Sequence, residues 1–343
     1  AEIQLYLPHR RNPIQKTITE FYGLTFTPKV FYAENYFGFF ENSFQNLYFA
    51  LQRFFFAWQA FFFALRSDTD FIFTREITLS YFLSILGKKV IFEDHEPKKR
   101  FRWLYLFFVK GIWKKVIVPE NLVEMYKKFG VRPNSYIVAP NGVDLKEFDS
   151  VSPNRDVWKK IGFTGVEKII LYVGHFYQWK GVYTLLDAAS LVPNEKIVLV
   201  GGTEADRNNV LKYAKEKKLH NVLVHPFVSH KEIIKFIKSA DVLVLPNTAK
   251  EERSAKFTTP IKLFEYMAAK VPIVASAIPS FSSFLNHGNA YLVMADQPKE
   301  LGNMIVTVLK SDNAREKAFR AYEDVKIYTW ENRAKNILNF FSK

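Results

Sequence analysis

A loop that starts at Gly174 and ends at Lys180-Gly181 carries the residue types of a phosphate site. The apolar run 169–173 has the composition of a strand, and an apolar-periodic helix starts at Val182, directly after the loop. Glycine lets a ligand approach the backbone, a helix N-terminus presents unpaired N–H groups, and Lys180 adds a full positive charge. The same strand–loop–helix joint occurs in any doubly wound domain, so a purely structural role is the alternative.

A second helix start follows at Thr258 to Lys262. Thr259 is a residue type that caps helices and Pro260 is favoured at the first helical position, so we expect another N-terminus that faces phosphate. Glu265 lies about a turn and a half into this helix, where its carboxylate can accept hydrogen bonds from both hydroxyls of a ribose. The alternative is that Glu265 serves only as a good helix former.

Other candidate positions also have simple alternatives. His95 follows the strand-like run 90–92 and is either a cleft residue or a surface histidine. Arg253 and Lys256 either add positive charge to the phosphate site or belong to a solvated basic loop. Asn141-Gly142 is a strong turn signal, which is enough to explain it when it is considered alone.

Alternating strands and helices must position these residues. Short apolar runs between helix-like segments predict parallel sheets, and near-continuous apolar strands predict a sheet covered on both faces, with ligands at the carboxyl ends of its strands. The predicted strands are 3–7, 71–73, 90–92, 116–118, 169–173, 197–200, 222–224, 242–245 and 273–275. The segment 140–154 holds two prolines, Asn-Gly and several acidic residues, and it predicts a boundary between two α/β domains.

The order and spacing of these motifs resemble glycosyltransferase family 4, the group 1 glycosyltransferases, which have the GT-B fold. The resemblance runs from about Ile137 to the C-terminus and is loose before that point. It rests on Asn141 to Asp144, Gly174 to Gly181, Ser239 to Pro246, Pro260 to Ala268 and Val271 to Ser276. It implies two Rossmann-like doubly wound α/β domains facing a central cleft. These are 1–146 on the acceptor side and 147–325 for the nucleotide sugar, with a C-terminal helix, 326–343, that crosses back to the first domain.

The resemblance also implies roles for individual residues. Lys180 would neutralise the donor diphosphate as it leaves, Glu265 would hold the ribose, and His95 would contact the donor sugar. The implied donor-binding set is Gly174, His175, Lys180, Arg253, Thr258, Thr259, Pro260, Ile261, Lys262 and Glu265. The family needs no bound metal, and the seven histidines of this chain form no pattern typical of a metal site. No cofactor is expected besides the nucleotide-sugar substrate, such as a UDP- or GDP-sugar.

This chain departs from the family pattern in several places. His175 stands where the family often has arginine after the loop glycine, and Phe257 stands where a glutamate often precedes the helix glutamate by eight residues. After the first strand, the segment His9 to Pro13 replaces the usual glycine-rich loop. The segment Thr74 to Glu76 also follows a strand and is a candidate for facing the acceptor.

Composition narrows the classes of function. The 343 residues include 48 lysines and arginines against 34 acidic residues, a net charge of +14 that attracts phosphates, nucleic acid or anionic membranes. Because the chain has no cysteine, disulfide frameworks, thiolate metal sites and cysteine nucleophiles are excluded. The N-terminal residues show no signal segment, so we expect a cytoplasmic protein.

Two segments raise the question of a membrane. Between 98 and 115, aromatic residues alternate with seven basic residues and no acidic one, which suits a helix on the anionic inner face of a membrane or a core helix with a solvated basic face. In the segment Phe44 to Leu65, a narrow polar stripe on an apolar helix favours burial against a sheet or partner, or a position on a membrane, over a span. No nucleic-acid motif accompanies the basic residues, so we expect no nucleic-acid partner.

The resulting prediction is a metal-independent retaining glycosyltransferase that moves a sugar from a nucleotide-diphosphate sugar to a hydroxyl acceptor, lipid-linked or polysaccharide. Retention of the anomeric configuration follows from the resemblance alone. The alternatives are another GT-B enzyme, either a sugar-nucleotide epimerase or a phosphorylase, and a non-catalytic protein that binds sugar nucleotides or membranes.

Overall fold

Two compact units make up the chain in the computed structural model, which describes residues 2–8, 17–22, 24–34, 45–97 and 102–342. One unit comprises residues 1–93 and 98–115, and the other comprises 94–97 and 116–343. The segment His9 to Pro13 and the basic residues Lys98, Lys99 and Arg100 lie outside the described residues. A functional boundary at 146 and 147, and a C-terminal helix that crosses back, stay predictions.

The elements up to residue 138 alternate between strands and helices. They are β1 Gln4–Pro8, α1 Ile18–Tyr22, β2 Lys29–Ala33, α2 Gln45–Arg66, β3 Ile72–Thr74, α3 Ile77–Ile85, β4 Val90–Asp94, α4 Arg102–Gly111, β5 Lys114–Ile117, α5 Leu122–Lys128 and β6 Tyr136–Val138. β1 and β2 form a parallel pair, and a second sheet has the order β3-β4-β5-β6. Each strand predicted in this part of the chain is present, with its ends shifted by at most two residues.

The elements from residue 145 onward form a doubly wound domain. They are α6 Leu145–Ser150, α7 Asp156–Lys159, β7 Ile169–Gly174, α8 Val182–Ala188, β8 Lys196–Gly201, α9 Glu204–Glu216, β9 Val222–His225, α10 His230–Ser239, β10 Val242–Leu245, α11 Glu252–Lys256, α12 Ile261–Ala268, β11 Ile273–Ser276, β12 Tyr291–Val293, α13 Pro298–Leu309, α14 Ala314–Val325 and α15 Trp330–Phe341. Six strands pair in the order β12-β11-β10-β7-β8-β9, and all of these pairs are parallel. The predicted parallel sheet is confirmed, with β12 added at its edge.

Both faces of this sheet are covered, as the near-continuous apolar strands predict. Along β7, Ile169, Leu171 and Val173 pack into one core with residues of α10 and α12. Ile170 and Tyr172 pack into a second core with residues of α8 and α13. Successive side chains of a strand point to opposite faces, so this strand contributes to both cores. Because the strands are parallel, their carboxyl ends meet at one edge of the sheet.

α2 belongs to the first unit and has one buried side. Ala60 and Ala64 pack against residues of α3 and β4, as expected for a helix that lies against a sheet. Phe54 and Trp58 are 66% and 52% exposed. Phe44, where the predicted segment begins, lies outside the described residues. Within the described ranges, none of the helices is both long enough and apolar enough to cross a membrane.

Candidate functional site

Gly181 fixes the loop that follows β7. Its φ is +72°, and a Cβ at this position would lie 1.7 Å from the carbonyl oxygen of Pro246, so only glycine fits. The backbone N–H of Thr248 also donates to the carbonyl of Trp179 at 3.4 Å. The loops after β7 and β10 are therefore joined at the carboxyl edge of the sheet, with Lys180 at the junction.

The ring of Trp179 carries two cations. Lys180 Nζ lies 4.2 Å from the ring centroid, and Arg253 Cζ lies 5.0 Å from it. Glu96 holds Arg253 through an ion pair of 2.8 Å between Oε2 and Nε. Removal from water and, to a smaller extent, the charge of Arg253 lower the pKa of Lys180 to about 8. Two positive charges held together against repulsion are typical of a site that receives an anion.

The beginning of this loop is exposed. Gly174 is the last residue of β7, and the exposed His175 that follows stacks on Tyr177 with 5.0 Å between ring centroids. Tyr177 in turn stacks on Trp179 at 6.1 Å. His175, which stands where the family often has arginine, therefore lies at the end of an aromatic row that leads to the two cations.

The segment before α12 differs from the prediction by one residue. The prediction that Thr259 is the N-cap is wrong. The helix α12 begins at Ile261, and its N-cap is Pro260, with ψ of 139°. Asn141 Nδ2 donates to the Thr259 carbonyl at 2.6 Å, which holds Thr259 in the preceding loop. Thr258 and Thr259 are both buried. The Asn-Gly segment, which a turn alone would explain, thus also supports the start of α12.

Glu265 presents a buried carboxylate with spare acceptor capacity. The residue is 2% exposed. The hydroxyl of its neighbour Tyr266 accepts a hydrogen bond from the Val173 N–H at 2.8 Å, which ties α12 to β7. Lys262 Nζ lies 2.5 Å from Glu265 Oε2 as an ion pair, and no other group in the described part of the chain donates a hydrogen bond to this oxygen. Such a carboxylate is suited to ligand hydroxyls.

His230 and Glu147 lie beside Glu265, although no sequence pattern singles them out for chemistry. His230 Nε2 lies 3.1 Å from Glu147 Oε2, and its Nδ1 lies 3.8 Å from Glu265 Oε1. One signal could have identified His230. It follows β9 at the first position of α10, where Ser229 and Glu232 form a capping box. A residue at the start of that helix belongs to the ligand-binding edge of a doubly wound sheet.

His95 directly follows β4, at the carboxyl end of that strand. Its neighbour Glu96 makes the ion pair with Arg253. Asp94, on the other side, accepts a hydrogen bond from the Tyr126 hydroxyl at 2.6 Å. The structure therefore brings the chain segment that carries His95 to Arg253 of α11, one of the two cations on Trp179.

Two other basic candidates have local partners. Lys256 pairs with Glu252 one turn away, at 3.8 Å. The prediction of a basic loop is wrong here, because residues 252–256 form α11, although Lys256 itself is exposed to solvent. Arg75 Nη2 lies 2.6 Å from the buried Glu93. Glu76 caps α3 by accepting the Leu79 N–H. These contacts give the segment after β3 a structural role, and a position facing the acceptor stays a prediction.

The arrangement at this sheet edge matches the parts of a nucleoside diphosphate. Lys180 and Arg253 can neutralise a diphosphate, and Glu265 can accept hydrogen bonds from ribose hydroxyls. All three belong to the unit that comprises 94–97 and 116–343.

Comparison with known proteins identifies the family of the region that contains this site. Residues 154–323 match the family model described as glycosyl transferases group 1. This chain carries a group 1 glycosyltransferase domain. The matched residues include Lys180, Trp179 and Arg253, and also α12 with Glu265.

Individual relatives agree with this assignment. An uncharacterized glycosyltransferase of Methanocaldococcus jannaschii is 29% identical over 228 residues, which are 64% of this chain and 56% of that protein. The processive diacylglycerol alpha-glucosyltransferase of Acholeplasma laidlawii is 22% identical over 233 residues, 65% of this chain and 67% of that protein. The match thus spans between about half and two-thirds of these relatives.

A solved structure shows the fold. HepE of Anabaena in complex with UDP has a TM-score of 0.75 at 16% identity and covers 100% of both chains. The predicted α/β fold of the GT-B class, with Rossmann-like domains, is confirmed.

Proposed function

We propose that this chain is a retaining, metal-independent glycosyltransferase that moves a sugar from a nucleotide-diphosphate sugar to a hydroxyl acceptor. One observation carries the proposal: a group 1 domain holds two cations on Trp179 and a buried carboxylate at Glu265. These groups are complementary to the diphosphate and the ribose of a nucleotide-sugar donor. The relatives named above are glycosyltransferases, and the solved HepE structure contains UDP.

The proposed roles follow from the surroundings of each residue. In the transfer, the bond from the sugar C1 to the diphosphate breaks, a bond from C1 to the acceptor oxygen forms, and the proton of the acceptor hydroxyl passes to the departing diphosphate. Lys180 and Arg253 stabilise the charge that develops on the departing diphosphate, and this takes the place of a metal ion. Glu265 holds the ribose, and the backbone of 258–262 cradles phosphate. His95 contacts the transferred sugar.

Transfer from defined donors tests the proposal. The protein is incubated with UDP-glucose or GDP-mannose, with EDTA present and with or without diacylglycerol vesicles as the acceptor. Released nucleotide is quantified, and the first-formed anomer is read by NMR. We expect slow donor hydrolysis without acceptor, an α-linked product with acceptor, and no effect of EDTA. Lys180→Ala should remove turnover while the protein remains folded.

Each part of the proposal has its own contradicting result. A β-linked product would exclude retention, and activity that disappears in EDTA would exclude metal independence. A folded protein that neither binds nor turns over either donor would refute the donor site. Donor hydrolysis in the absence of any acceptor would rule out a purely binding protein.

We also propose that the protein works at the anionic, cytoplasmic face of a membrane, through α4, with a lipid-linked acceptor. One side of α4 is buried, whereas Trp103 and Phe107 are 67% and 54% exposed. Arg102 and Lys110 are exposed on the same helix. Exposed aromatic and basic side chains together suit the interface of an anionic bilayer. By its name, the Acholeplasma relative acts on diacylglycerol, which supports a lipid acceptor.

Vesicle sedimentation tests this surface. We expect binding to phosphatidylglycerol vesicles and little binding to phosphatidylcholine vesicles. The double variant Trp103→Gln, Phe107→Gln should lose vesicle binding and keep its hydrolysis of the free donor. Undiminished binding by this variant would contradict the assignment of α4.

A further inference from the structure

We infer that His230 is a positioning residue that orients the Glu265 carboxylate toward the ribose of the donor, an inference that rests on the proposed donor site. The imidazole stands between two carboxylates from different elements, Glu147 of α6 and Glu265 of α12. Its Nε2 lies 3.1 Å from Glu147 Oε2, and its Nδ1 lies 3.8 Å from Glu265 Oε1. Each ring nitrogen therefore faces a different carboxylate.

Capped helix ends set the positions of both His230 and Glu147. At the start of α10, the Ser229 side chain accepts the Glu232 N–H and the Glu232 carboxylate accepts the Ser229 N–H. At the start of α6, Asp144 accepts the backbone N–H of Glu147 at 3.1 Å. Because capping fixes the backbone at both sites, the imidazole reaches the Glu265 carboxylate from a defined direction.

The burial of Glu265 explains why such a contact matters. A carboxylate that is 2% exposed has lost its contact with water, so the charged and polar side chains placed next to it take the place of solvent. Lys262 of the same helix lies at Oε2, and His230 of α10 lies toward Oε1. The imidazole has two ring nitrogens, and each of them lies next to a different carboxylate, so one ring connects Glu147 of α6 with Glu265 of α12.

This arrangement holds the carboxylate without using up its acceptors. Lys262 is the one partner of Oε2 in the described ranges, and a carboxylate oxygen can accept more than one hydrogen bond. Two hydroxyls of a ribose would supply hydrogen bonds to a carboxylate that Lys262 and His230 already orient. Loss of His230 should therefore weaken recognition of the ribose hydroxyls and leave recognition of the diphosphate unchanged.

Calorimetric titration with UDP and GDP, each compared with its 2′,3′-dideoxy analogue, tests this role. Wild-type protein should bind the ribose form of its nucleotide more tightly than the dideoxy form. His230→Phe keeps a ring and removes both nitrogens. We expect its Kd for the ribose form to rise about tenfold, and its Kd for the dideoxy form to change less than about twofold. In turnover, the KM of the donor should rise while kcat changes little.

Matched variants separate this role from a structural one. His230→Gln retains one N–H donor group and should fall between wild type and His230→Phe. Glu147→Gln weakens the other side of the contact and should reduce the ribose preference in the same direction, which keeps a test available if His230→Phe does not fold. His220→Phe is the control, because His220 is exposed and precedes β9 at the opposite edge of the sheet.

Two results would overturn the inference. The first is a folded His230→Phe variant that prefers the ribose form over the dideoxy form as strongly as the wild type does. The second is a folded His230→Phe variant that loses equal affinity for the two forms. If wild-type protein binds neither nucleotide, the proposed donor site fails instead, and the inference fails with it. The wild-type titration therefore distinguishes the two failures.

Discussion

Replacing Lys180 with methionine removes a half-buried charge and keeps an unbranched side chain of similar length. Burial, together with Arg253, lowers the pKa of Lys180 from 10.5 to about 8. At 1.36 kcal/mol per pKa unit, this shift means that the charged form of Lys180 costs roughly 3 kcal/mol in the folded, ligand-free protein relative to the unfolded chain. The contact of Nζ with Trp179 at 4.2 Å offsets part of this, by on the order of 1–2 kcal/mol. We therefore expect Lys180→Met to raise the free energy of unfolding at pH 7 by about 1–2 kcal/mol.

The pH dependence of this gain has a definite sign. The pKa of Lys180 is lower in the folded protein than in the unfolded chain, so between about pH 8 and pH 10.5 the unfolded chain binds more protons. The stability of the wild type then rises with pH relative to the variant. Between pH 7 and pH 9.5 the advantage of the variant should fall by roughly 2 kcal/mol, which erases it.

Urea denaturation at these two pH values measures both quantities. The same samples at pH 7 should show that UDP or GDP stabilises the wild type and leaves Lys180→Met unchanged. A variant that is less stable than the wild type at pH 7, or an advantage that does not change with pH, would refute the account of Lys180 as a desolvated cation.

Three further substitutions probe the same site. Gly181→Ala should cost about 3 kcal/mol or more, because its Cβ would meet the Pro246 carbonyl at a positive φ; a variant that melts like the wild type would contradict this packing. Arg253→Gln removes the repulsion on Lys180, so the pKa of Lys180 should rise in an NMR titration while the Kd for the bound nucleotide rises about tenfold. An unchanged pKa would argue against the two-cation arrangement. Glu265→Gln should raise the Kd for a ribose nucleotide about tenfold and the Kd for its dideoxy analogue much less, as measured by calorimetry; equal losses for both would argue against a ribose contact.

The sequence predicts the six-stranded sheet well because its central strands are buried on both faces. Runs such as Ile169 to Val173 have no polar residue that would interrupt them, and Gly174 marks where the strand stops. Lys180 and Glu265 are identifiable because each stands at a regular distance from a helix start. The strands that have no counterpart in the prediction include β6 and β12, which are three residues long and too short to show periodicity.

The contacts that complete the site depend on tertiary structure. Glu96 reaches Arg253 from a distant part of the chain, and nothing local to either residue indicates the pair. Local capping rules place Thr259 at the N-cap, but the hydrogen bond from Asn141 overrides them. His230 meets its two carboxylates only after α6, α10 and α12 have packed together. Short-range patterns identify residues that carry charge, whereas long-range packing decides which charges meet.

Thermal melts with UDP, GDP, ADP and CMP, on wild-type protein, Lys180→Ala and Glu265→Ala, test the donor site most directly. A ligand that binds only the folded state at a hundred times its Kd stabilises that state by roughly 2.7 kcal/mol. We predict that one nucleoside diphosphate raises the Tm of the wild type and that this shift is clearly smaller in both variants. A wild-type protein that melts cooperatively and responds to none of the four nucleotides would contradict a donor site at this sheet edge.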